Sequence, residues 1–114
     1  MTDLMLHDHW QRLCAAQLAR HPEVMEGRMM SAPALTLRGR VYAFFSSKGG
    51  RTGLGCRLGR KTPIAALGLR DWQHLAPFKT RPPMQDWIVA GAGDVARWPE
   101  LAERALSHAQ ERKD

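Results

Sequence analysis

Cysteine is scarce in this chain. Cys14 and Cys56 are far apart and form no Cys-x-x-Cys pair, so neither a disulfide framework, a zinc ribbon nor a dithiol redox motif has support. No apolar run approaches the roughly 20 residues of a membrane-crossing helix. The first ten residues carry Asp3, His7, Asp8 and His9 where a signal peptide needs an apolar core, so a cytoplasmic protein with reduced thiols is expected. Internal repeats and low-complexity tracts are absent. Acidic residues are few: 11 against 17 Lys and Arg, a net charge of +6. Such a field attracts polyanions, although it also serves simply to keep a small domain soluble.

What is present describes an ordinary globular chain. Its 114 residues, 44% hydrophobic and 25% charged, predict one domain over residues 1–114. Leu6, Trp10, Leu13, Cys14 and Leu18 recur at helical spacing and predict an amphipathic helix over residues 2–20, started by Thr2 or Asp3 and stopped by His21-Pro22. The chain from Glu23 to Met30 reads as a strand. Ala34–Leu37 and Val41–Phe45 flank Arg38-Gly39-Arg40, a hairpin pattern in which Gly39 should take a positive φ. Leu54, Cys56 and Leu58 alternate on one face of a further strand. Thr62 is the candidate cap of a short helix over Pro63–Leu69, with Pro63 at its first position and Gly68 set to weaken or end it. Residues 71–81 read as a loop or weak strand, Met84–Ala90 as a buried strand. Trp98, Leu101, Ala102, Ala105, Leu106 and Ala109 form the stripe of a final helix beginning near Arg97 or Trp98. The expected fold is α+β: a two-layer domain with an antiparallel sheet of four to five strands packed by N- and C-terminal helices.

Three stretches carry a family resemblance. Met29-Met30-Ser31-Ala32-Pro33-Ala34-Leu35, Leu37-Arg38-Gly39-Arg40-Val41-Tyr42-Ala43 and Arg81-Pro82-Pro83-Met84-Gln85-Asp86-Trp87-Ile88-Val89 together resemble the N-terminal domain of the TfoX competence regulators, which is related in fold to the YjbR-like proteins. With the flanking helices the likeness covers about nine-tenths of the chain. Met30 and Ser31 stand where the family usually has Phe and Gly, and Arg38 where Asn is common. The resemblance implies a helix-packed antiparallel sheet, no established catalytic residues and a regulatory or adaptor role. Family regulators can carry a second, C-terminal domain. This chain ends at Asp114, so a stand-alone module is expected.

Motifs for chemistry fail on inspection. The glycine-rich run Lys48–Gly55 has no Lys after its second glycine and leads into an alternating strand, not the helix that a phosphate loop requires. Gly53, Gly55 and Gly59 lack the helix and acidic partner of a dinucleotide site. His7 and His9 point roughly 200° apart on a helix, and Asp3 with His7 makes too few ligands for a metal. His74 and His108 stand alone at motif spacing. An enzyme is not expected, nor a cofactor or metal. Of the tryptophans, Trp10 and Trp98 fall on helix stripes, Trp87 reads as a strand residue under a helix, and Trp72 is the most exposed.

Two function classes follow. The first is a non-catalytic binding or adaptor module acting through protein contacts, with a protein partner or a homodimer. Val41–Phe45 is apolar on both faces, which makes Tyr42 and Phe44 candidate contacts, and Trp72, following Arg70-Asp71 in an irregular segment, is a third. The alternative is a nonspecific nucleic-acid-associated protein. Arg38, Arg40, Lys48, Arg51, Arg57, Arg60 and Lys61 fall within 24 positions that hold no Asp or Glu, a composition suited to phosphate contacts.

Overall fold

A computed structural model describes residues 2–47, 52–76 and 80–112. Helix α1 (Asp3–Arg20) starts where the Thr2 hydroxyl accepts the Met5 N–H at 3.2 Å. It ends where the His21 N–H reaches Gln17 O, just before Pro22 bars a further turn. Its buried stripe is Leu6, Trp10, Leu13, Cys14 and Gln17. Strands β1 (Val24–Met29), β2 (Ala32–Leu37), β3 (Arg40–Ser46), β4 (Gly53–Arg57), β5 (Trp72–Leu75) and β6 (Met84–Ala90) form one antiparallel sheet in the order β1-β2-β3-β4-β6-β5. A 3-10 turn (Ile64–Leu67) precedes β5, and another (Ala92–Arg97) leads into helix α2 (Trp98–Glu111), with Pro99 in its first turn. The fold is therefore α+β, with one strand beyond the sequence expectation because Trp72–Leu75 pairs with β6.

Two hairpins set the register of β1, β2 and β3. Arg38 (φ 53) and Gly39 (φ 80) both lie in the left-handed region, as a two-residue type I′ turn demands. Met30 (φ 49) and Ser31 (φ 73) make the same turn between β1 and β2 without any glycine. Between β2 and β3 the register slips, so Tyr42 is an extra residue between the Val41–Thr36 and Ala43–Leu35 pairs. This bulge breaks the alternation: Tyr42, Ala43 and Phe45 enter the core under the helices, while Val41 and Phe44 turn to the opposite face.

The main core lies between the sheet and the two helices, around Leu35, Leu54, Cys56, Ile88, Trp98, Leu101 and Leu106. A smaller cluster occupies the other face: Ala34, Phe44, Leu75, Trp87 and Val89, with Phe44 and Trp87 edge to face at 5.6 Å. Trp87 is thus not under a helix. Ile88 and Ala90 point to the helices, so their neighbours Trp87 and Val89 point away. A Cβ on Gly55 would fall 2.2 Å from the Phe44 ring, which requires glycine there. The short helix expected over Pro63–Leu69 is a 3-10 turn of Ile64–Leu67 that ends at Gly68, and Thr62 does not cap it; its hydroxyl donates back to Leu58 O at 2.5 Å.

Candidate interaction surface

The expected partner contacts are mostly inside the molecule. Tyr42 is 1% exposed and donates to Gln17 Oε1 of α1 at 2.7 Å. Burial, then Cys14 and Glu103, pushes its phenol above the ordinary range. Phe44 is 3% exposed in the small cluster. Neither offers a surface to a partner, because the bulge and Gly55 draw both rings into the chain's own packing. Trp72 is half-buried in β5, packed on the main core and edge-on to His74 at 5.2 Å.

The described candidate cations gather at one end of the sheet. Arg38 and Arg40 border the β2–β3 turn; Arg57 closes β4, and Arg60 and Lys61 follow it at the same end. Lys48 and Arg51 lie outside the described residues. Sequence reasoning missed an acid in this group: Asp86 of β6 meets Arg57 at 3.0 Å and Arg60 at 3.8 Å. At the same end, Glu103 of α2 pairs with Arg20 at 3.2 Å and with His21 Nε2 at 3.1 Å.

Nucleophile candidates are withdrawn from solvent. Burial, then the nearby Glu26, pushes the Cys14 thiol up to about 12, and burial alone does the same to Cys56. The described residues hold no cluster of three or more His, Cys, Asp or Glu placed for a metal. They also include no helix long and apolar enough to cross a membrane. A groove of about 280 Å³ runs between α1 and α2, lined by Leu13, Ala16, Gln17, Val95, Trp98 and Pro99. The Trp98 indole N–H is buried without an acceptor among the described residues. A more open depression of about 380 Å³ lies between Leu58, Thr62 and the Ser107–Glu111 turn of α2.

No protein family, curated protein or solved structure matches this chain.

β1 and β5 are the two edge strands of the sheet. β1 pairs with β2 in an unbroken register from Val24–Leu37 to Met29–Ala32. The residues flanking a two-residue hairpin exchange both backbone bonds, so Met29, Gly27 and Met25 turn their N–H and C=O groups toward β2. Val24, Glu26 and Arg28 turn theirs outward. Val24 fits this phase, since its N–H is taken by His21 O at 3.0 Å. Glu26 and Arg28 are exposed, and Met25 is 67% exposed on the opposite face. The strand has neither proline nor bulge to blunt it.

Proposed function

We propose that this chain is a non-catalytic protein-interaction module, a small adaptor or regulatory domain that works through its open β1 edge. One observation carries the reading: β1, in unbroken register with β2, has outward backbone groups at Glu26 and Arg28 beside an exposed Met25. An added strand would satisfy those groups by main-chain hydrogen bonds, with side-chain pairs supplying selectivity. Burial of both thiols and the resemblance to the TfoX N-terminal domain accord with a binding role. The test is photo-cross-linking in cells with a photo-reactive amino acid at position 25 or, on the opposite edge, position 73. Adducts from position 25 alone, lost on Arg28→Pro, are expected, because that proline removes an outward donor and leaves the β1–β2 bonds intact. No adduct at position 25, or equal adducts at both, overturns the reading.

A second reading rests on the gathering of Arg38, Arg40, Arg57, Arg60 and Lys61 at one end of the sheet. Phosphate contacts there would give salt-sensitive binding with little sequence selectivity. A mobility shift of a generic duplex or single strand at ~50 mM salt supports it. No shift up to tens of micromolar protein ends it, since nonspecific binders commonly reach about micromolar affinity at physiological salt.

A further inference from the structure

We propose that the occupant of the β1 edge is a second copy of this chain, paired antiparallel about a two-fold axis at Gly27, so that Glu26 of each copy faces Arg28 of the other. The inference rests on the reading of β1 as an interaction edge and adds the partner and the register. The phase of the strand restricts the choice. Only Val24, Glu26 and Arg28 direct backbone groups outward, so two copies can hydrogen-bond only in registers that set members of this group opposite one another. Centring the axis on Glu26 puts two carboxylates face to face, and centring it on Arg28 does the same to two guanidinium groups. Like charges directly opposite are unfavourable in a sheet. Centring it on Gly27 pairs Glu26 with Arg28 twice and, on the other face, Met25 with Met29 twice.

The surroundings suit this pairing. The chain carries +6 overall, which opposes self-association, yet the edge itself holds one acid and one base. Helix α1 packs on the same side of the sheet, touching β1 through the core at Val24 and reaching β3. Gln17 meets Tyr42 at 2.7 Å, and Trp10 stacks on Phe45 with centroids 6.2 Å apart. Glu26 and Arg28, on that same side of β1, stay exposed. Met25 and Met29 supply the apolar contact that exposed ion pairs, weak in water, do not provide. The charges therefore select the register more than they set the affinity.

Light scattering and sedimentation equilibrium on the whole chain, at concentrations up to about 500 µM and at two salt concentrations, test the proposal. The wild type is expected to show a reversible monomer–dimer equilibrium. Glu26→Arg alone and Arg28→Glu alone should each weaken it by about tenfold or more. An equal mixture of these two variants should form a heterodimer, and the chain with both changes should recover dimerisation. Circular dichroism melts confirm that each variant is folded. Recovery in the double variant is the decisive result, because it requires position 26 to face position 28. A wild type monomeric throughout, a dimer indifferent to either single change, or a double variant without recovery overturns the proposal. If it falls while position 25 still cross-links to a heavier protein, the interaction edge stands with a different partner. If cross-linking also fails, both fall.

Discussion

The two edges of the sheet end it in different ways. β5 is four residues long and bulged between His74 and Leu75. The chain before it is fastened to the turn after β6: Asp94 accepts the backbone N–H of Arg70 at 2.9 Å and of Asp71 at 2.6 Å, and Asp71 accepts that of Gly93 at 2.9 Å. Asp94 is 4% exposed, so these bonds are made largely out of water. β1 is six residues long and unbroken, paired along its length with β2 and anchored in the core by Val24. Short, bulged, tied edges resist further pairing, and long flat ones invite it. The contrast is the ground on which the proposed function places association at β1 and not at β5.

The strongest way to break the contrast is to untie β5. Asp94→Ala leaves the Arg70 and Asp71 N–H groups without their acceptor, and a cost of about 2–4 kcal/mol is expected. Urea melts read the loss. Hydrogen exchange should quicken at Trp72–Leu75 and stay unchanged at Met25, Gly27 and Met29. Equal quickening on both edges would show that the edges are not independently held.

Alkaline pH acts on both halves of the sheet through the buried thiols, Cys14 near β1 and Cys56 within β4. Each folded thiol is pushed from 9.0 up to about 12. The folded state binds the proton more tightly than the unfolded state, so this stability is complete below about pH 9 and is lost as pH rises toward about 12. A loss of about 3 kcal/mol for the pair is expected by about pH 10. Cys14→Ala should remove about half of the slope. A stability flat through pH 10 would contradict the burial of both groups.

The β2–β3 turn supports the β1 side. At Gly39 (φ 80) no atom lies within 4 Å of an added Cβ, so the cost of a substitution there is backbone strain alone. Gly39→Val should destabilise by more than about 1 kcal/mol and Gly39→Ala by less, while Arg38→Asn should be neutral or stabilising in the same thermal melts.

Local signals made much of this fold legible. The α1 stripe, the Arg38-Gly39 turn, the Leu54-Cys56-Leu58 alternation and the Pro99 start of α2 all depend on neighbours in sequence. What stayed hidden depends on distant residues. Trp72-Gln73-His74-Leu75 has little strand pattern of its own and becomes β5 through β6 and the Asp71–Asp94 tie. Trp87-Ile88-Val89-Ala90 is apolar on both faces, so its phase was unreadable. One inserted residue at Tyr42 puts its ring in the core under the helices, and Gly55 and Trp87 let Phe44 pack on the opposite face. Asp86, far along the chain, answers the acid-free run at Arg57 and Arg60. The segment from Glu23 to Met30 reads in the sequence only as a strand, and the alternation of Met25, Gly27 and Met29 with Glu26 and Arg28 gains meaning once the topology places it on an edge.

The smallest expected effect sharpens the contrast from the β1 side. Met30 and Ser31 hold left-handed angles that suit Asn and Gly better, so the β1–β2 hairpin carries strain at its turn. Ser31→Gly relieves part of it, and the Arg28 Nη1 bond to Ser31 O survives because the acceptor is backbone. Glycine also enlarges the freedom of the unfolded chain, which offsets some of the gain. The net expectation is a stabilisation of about 0.5 kcal/mol, read as a rise of about 2 °C in the melting temperature. Dimerisation should be unchanged, since the substitution lies outside the Glu26–Arg28 register. Coupled changes in stability and dimerisation would mean that the edge is moulded by its turn, not preformed along its length. A fall in melting temperature would mean that the left-handed turn between Met29 and Ala32 is wrong, and with it the outward phase of Glu26 and Arg28.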